Sequence, residues 1–179
     1  MALADVAAIA AAAFCGAILN RIRGGLLTIP GGTQVGRLVG WGIPLGVASW
    51  VAGAPWFPAA LIGLGAFLGC CVGQYGGLSM GHRGGAPRIS PWITMTAWGA
   101  ARVALPCAVI WWIGGCWLPL AAAGLLCAPI YWAVWYAPPW LYLPGFGYGD
   151  GPATGYDPPE LAETVHGAAM LAALVAGIP

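Results

Sequence analysis

The chain has 179 residues, of which 60% are hydrophobic and 6% charged, with a net charge of +1. A soluble domain carries roughly 25% charged residues, so six basic and five acidic groups are too few to cover a globule of this size in water. The length suits one domain over residues 1–179. The mean hydropathy of +0.83, with Gly and Pro making up about a quarter of the chain, predicts an all-α, polytopic membrane helix bundle, because transmembrane helices tolerate both residues. It offers no ground for a nucleic-acid partner.

A bilayer core of about 30 Å needs about 20 helical residues. Six stretches qualify as predicted spans: Ala2–Leu19, Leu38–Gly53, Trp56–Gly73, Trp92–Ile113, Trp117–Tyr136 and Pro159–Ile178. Five spans with one re-entrant stretch is the alternative count. The first stretch has no Lys or Arg before it and arginines after it, so it reads as a retained span and not as a signal peptide. Gly42 and Gly46 in the second stretch, and Gly65, Gly69 and Gly73 in the third, repeat every four residues. That spacing predicts close approach of helix backbones. In the fourth, Arg102 lies about ten residues from the start, and Pro106 removes the donor that its carbonyl would use. The last stretch has the clearest beginning: Asp157 as N-cap, Pro158 as first helical residue and Glu160 as partner in a capping box.

The connections alternate in character. Gly53-Ala54-Pro55 and Gly114-Gly115-Cys116 are short and uncharged, whereas Asn20–Arg37, Gln74–Pro91 and Ala137–Pro158 are long. Arg21, Arg23, Arg37, Arg83 and Arg88 fall in the first two long connections. The positive-inside rule then places the long loops in the cytoplasm of a multi-pass bacterial inner-membrane protein, with short turns and termini outside. Trp56, Trp111, Trp112 and Trp117 flank the short turns, as interfacial aromatics do. The six cysteines lie in or beside apolar stretches without a CxxC pair and read as small buried hydrophobes.

Polar residues suited to chemistry gather on the side of the long loops. Asn20-Arg21-Ile22-Arg23-Gly24-Gly25 places two guanidiniums beside glycines whose N–H groups can approach an anionic oxygen; the alternative is an anchor that only touches headgroups. Gly76 to Gly85 enclose His82 and Arg83, either as a nest of donors with a general acid or base or as a linker. Asp150 follows Gly147-Tyr148-Gly149 and is positioned to pair with an arginine of another loop. Within the spans, Arg102, Glu163 and His166 predict a buried cluster, since an intramembrane charge needs partners; the alternative is an Arg102 that snorkels outward. The candidate catalytic residues are therefore His82, His166 and Glu163. The candidate ligand-binding residues are Asn20, Arg21, Arg23, Arg83, Arg102 and Asp150. Two histidines and no zinc-type spacing predict no metal and no cofactor.

The Asn20–Gly25 opening, with the glycine-rich histidine loop Gly73–Gly85, resembles small multi-span membrane proteins of tailed phages and prophages. The resemblance covers about a tenth of the chain and implies no activity and no catalytic residue. Three functions stay open. The first is a membrane protein that binds or processes an anionic ligand, foremost a phosphorylated lipid or its headgroup. The second is a small transporter or channel lined by Arg102 and Glu163. The third is a structural or accessory subunit. Expected partners are membrane lipids, an anionic small molecule, and further copies or a larger membrane complex.

Overall fold

A computed structural model describes residues 8, 11, 32–75, 91–135 and 158–179; side chains at 32–33, 73–75, 91–92, 94, 131–132, 134–135 and 158–164 lie outside the description. The described residues form helices and short turns, and no strand occurs among them. Helix α1 (Gly32–Arg37) continues through a π-helical turn (Leu38–Gly42) into α2 (Ile43–Val51). Then follow α3 (Trp56–Tyr75), α4 (Pro91–Trp112), α5 (Leu118–Leu125), α6 (Cys127–Trp135) and α7 (Pro158–Gly177). Among the described residues no helix is long and apolar enough to cross a membrane. The backbones of α3, α4 and α7 run 20, 22 and 20 residues, with described side chains along part of each.

Proline explains where these helices begin. Pro58, Pro91, Pro119 and Pro159 all sit in the first turn of a helix, where a missing N–H breaks no intrahelical bond. Pro106 lies inside α4, and Pro44 and Pro129 lie within continuous helical runs. One predicted span is corrected in its bounds. The second begins at Gly32, not Leu38, so Arg37 is helical and not part of a loop. The fifth loses one helical bond, because Pro129 has no N–H to give the Leu125 carbonyl, but the ladder runs on across it, the Leu126 N–H donating to the Ala122 carbonyl at 3.0 Å and the Ile130 N–H to the Leu126 carbonyl at 2.9 Å.

The helices pack antiparallel, and glycine sets their separation. Contacts between α3 and α4 run in opposite senses, Gly65 meeting Leu105 and Gly69 meeting Ala101 and Arg102. A Cβ on Gly63 would stand 2.6 Å from the Gly42 carbonyl oxygen and 3.2 Å from the Gly46 Cα. Gly99 of α4 and Gly124 of α5 meet backbone to backbone. The four-residue glycine spacing of α2 and α3 therefore serves the close approach expected of it. The core between the helices holds Trp41, Leu45, Ile62, Ile110, Leu120, Met170 and Leu174.

Both short turns and the last residues of the chain share one end of the bundle. The Cys116 N–H donates to the Gly177 carbonyl at 2.8 Å, and Pro179 lies beside Gly53 and Gly115. Gly53 and Gly114 turn the chain with φ of +114° and +80°, values that glycine adopts without a Cβ clash. The antiparallel packing places Tyr75, Pro91 and Pro158 at the opposite end. The outward faces are apolar: Val47 and Trp50 of α2, Leu64 and Leu68 of α3, Trp112 of α4 and Leu125 of α5 are all exposed. Among the described residues the buried polar side chains are Arg37, Ser49, Arg102 and His166. Ser49 turns its hydroxyl onto the Gly46 carbonyl at 2.8 Å.

Candidate functional site

Arg102 and His166 meet at the centre of the bundle. Helix α4 carries Arg102, helix α7 carries His166, and the two are 1% and 0% exposed. The Arg102 Nη1 lies 3.1 Å from His166 Nδ1, and His166 Nε2 lies 3.0 Å from the Ala123 carbonyl oxygen of α5. A guanidinium only donates and a carbonyl only accepts. Both contacts are made together by one form of the ring: the neutral imidazole with its proton on Nε2, accepting from Arg102 at Nδ1.

Two indoles flank the guanidinium. Its Cζ stands 3.8 Å from the Trp98 ring centroid and 4.4 Å from that of Trp41, both close enough for cation–π attraction. Trp98 precedes Arg102 by one helical turn in α4 and so shares its face. Trp41 also stands 5.7 Å from the His166 ring, tilted by 54°. It arrives from the π-helical turn, whose wider loop is closed by the Ile43 N–H on the Leu38 carbonyl. Pro44 would crowd the Gly40 carbonyl in a regular helix, and the ladder opens by one residue just before it. That extra residue turns Trp41 into the core, where it is 1% exposed. Its indole Nε1 is buried and makes no hydrogen bond.

A second polar group lies one turn nearer the long-loop end. Arg37 Nη1 donates to Gln34 Oε1 at 3.0 Å and stands 3.9 Å from Cys71 Sγ. The Cys71 thiol in turn lies 3.2 Å from Gln34 Oε1. The two arginines thus reach the same stretch of α3: Arg102 packs on Gly69, and Arg37 on Cys71 two residues further on.

Of the predicted site residues, Arg102 and His166 are brought together, and Arg102 stays inside the bundle without snorkelling outward. Glu163 sits in α7 three residues before His166, and its side chain lies outside the described residues. Asn20, Arg21, Arg23, His82, Arg83 and Asp150 lie outside the described residues as well. Trp41, Trp98 and the Gln34–Arg37–Cys71 group are additions. Trp98 was legible from its position one turn before Arg102. Trp41 depends on a widened helical turn that periodicity does not display.

No protein-family model, curated protein or solved structure matches this chain.

The chemistry of the site is that of a held cation. Both nitrogens of His166 are engaged by protein groups, so this arrangement positions the guanidinium and leaves the ring no lone pair or proton for a substrate. Among the described residues no three His, Cys, Asp or Glu side chains converge as metal ligands. Cys116 is exposed at the short-turn end, whereas Cys70 and Cys127 are buried, so the expectation of buried thiols fails at position 116.

Proposed function

We propose that the chain is a polytopic membrane protein that binds an anionic oxygen ligand, foremost the phosphate of a lipid headgroup, from the long-loop side. The observation that carries this reading is the reversal of polarity. The outward faces present Val, Leu and Trp, while a guanidinium and an imidazole occupy the interior. Water would penalise such a surface, whereas lipid accepts it. Helices of 20 to 22 residues match a hydrocarbon core of about 30 Å. The exposed Trp50, Trp56, Trp111 and Trp112 beside the short turns suit the headgroup level.

An ionisable residue at membrane depth is costly and by default marks a site. Arg102 supplies a planar, permanently charged fork suited to phosphate or carboxylate. Arg37 stands on the approach from the long-loop end. The loop residues Asn20, Arg21, Arg23, His82, Arg83 and Asp150 are the proposed outer part of the same site, on the cytoplasmic side. His166 is a positioning residue that fixes the guanidinium, and Glu163, in the turn before it, is the proposed counter-charge.

Purified protein in uncharged detergent should retain an anionic lipid in native mass spectrometry. Diacylglycerol phosphate should protect it against heat, and a phosphocholine lipid should not. Ligand at about 100 times its dissociation constant contributes about 2.7 kcal/mol. Lysine at Arg21, Arg23 or Arg83 should weaken that protection, because the charge remains and the fork is lost. Absence of protection by every phosphate-bearing lipid would overturn the binding reading in favour of an accessory membrane subunit.

A further inference from the structure

Trp41 has a property that the Arg102–His166 contact does not use. It is 1% exposed, and its Nε1 is buried without a hydrogen bond. An indole N–H can only donate, and a buried donor without an acceptor is one of the more expensive features a fold can keep. Yet the chain holds this donor in place with a widened helical turn, against Arg102 at 4.4 Å and His166 at 5.7 Å. Phenylalanine would fill a core position of this kind without the polar atom.

We infer that the Trp41 N–H is a ligand donor, and that together with the Arg102 guanidinium it receives an anionic oxygen of phosphate or carboxylate type. This rests on the binding reading above and deepens it by naming a neutral donor beside the cation. The surroundings select the charge of the acceptor. Of the two polar side chains seen against the ring, the Arg102 guanidinium only donates, and the one acceptor nitrogen of His166 already receives Arg102. A neutral carbonyl would satisfy the N–H but gain little from the cation. An anionic oxygen gains from both. The selectivity that follows is for an oxyanion over a neutral polar group of the same shape, since each donor left unmatched weakens binding.

The test uses the full chain in detergent with Trp41 replaced by benzothienylalanine, in which sulfur takes the place of the N–H and the ring shape is kept. Diacylglycerol phosphate, inorganic phosphate and uncharged diacylglycerol serve as probes. Wild type should bind diacylglycerol phosphate, and the variant should bind it on the order of tenfold more weakly, the scale of one hydrogen bond to a charged acceptor. Uncharged diacylglycerol should not distinguish the two proteins. Inorganic phosphate binding with the same difference identifies a free anion as the source, and its failure identifies the lipid. A second measurement is read on wild type alone, with Trp41→Phe used only for assignment: the Trp41 indole proton resonance should move downfield when the phosphate probe is added. Equal affinity of wild type and variant overturns the role of Trp41 and leaves the binding reading standing. A Trp41 indole proton that exchanges magnetisation with water and ignores the probe also overturns it, in favour of an internal water. If wild type binds neither phosphate probe, the binding reading and this inference fall together.

Discussion

His166, Trp41 and Trp98 hold Arg102 by different forces, and substitutions should separate them. His166 accepts from the guanidinium and donates to the Ala123 carbonyl. Glutamine carries one acceptor and one donor group on a side chain of similar reach, whereas leucine carries neither. His166→Leu should therefore lower stability by about 2–3 kcal/mol, the scale of a lost hydrogen bond to a buried charge, and His166→Gln by clearly less. Melting in detergent measures both, and equal losses would show that the ring is held by packing alone. Arg102→Lys keeps the charge but loses the planar face between Trp41 and Trp98. It should cost about 1–2 kcal/mol in the same assay, on the scale of desolvated cation–π contacts.

The elements are held by backbone approach, and their tolerance of one added methyl differs accordingly. A Cβ on Gly69 would meet the Ala101 carbonyl and stand 2.7 Å from the Arg102 Cα, both backbone, whereas a Cβ on Gly46 comes no nearer than 3.2 Å to the Ala59 carbonyl. Gly69→Ala should push α3 from α4 and cost about 1–3 kcal/mol, as overpacking does, and Gly46→Ala should cost less; thermal melts that rank them in reverse would refute the packing argument. Pro44→Ala raises helix propensity and also removes the reason for the π-helical turn. A regular ladder would rotate the preceding residues by about 100°, taking Trp41 off Arg102, so the melting temperature should fall although the helix improves. The contacts of Gly42, Gly46, Gly65 and Gly69 were legible from four-residue spacing, and so was the gathering of Arg102 and His166 between the fourth and last spans, although the contact expected there was Arg102 with Glu163, whose side chain lies outside the described residues. The π-helical turn was not, because one extra residue in a ladder leaves no mark on hydrophobic periodicity. The helical bond lost at Pro129 was masked by uniform apolarity on both sides, although the proline itself was visible.

At the level of the whole molecule, one end carries the short turns, the exposed tryptophans and the last residues, and the other carries Tyr75, Pro91 and Pro158. Cys116 is exposed at the first of these ends, which provides a native label for the proposed orientation. In intact cells a membrane-impermeant thiol reagent should modify Cys116 from outside. In a Cys116→Ser background it should not reach a cysteine placed at Gly84, which lies outside the described residues. Labelling at 84 and protection at 116 would invert the topology.

The bond between Arg102 and His166 joins residues 64 positions apart, and that separation is also a delay. A ribosome adds about 5–20 residues per second, so roughly 3–13 s pass between the two being made. In that interval Trp41 and Trp98 already exist, while the imidazole that fixes the guanidinium is still unmade. If the chain inserts into a bilayer as proposed, α4 enters before α7 can receive it, and the last helix acts as the latch of assembly. Nascent chains halted before Pro158 should then be cleared by membrane proteases faster than full-length chains, and co-expression of α7 as a separate segment should slow their loss.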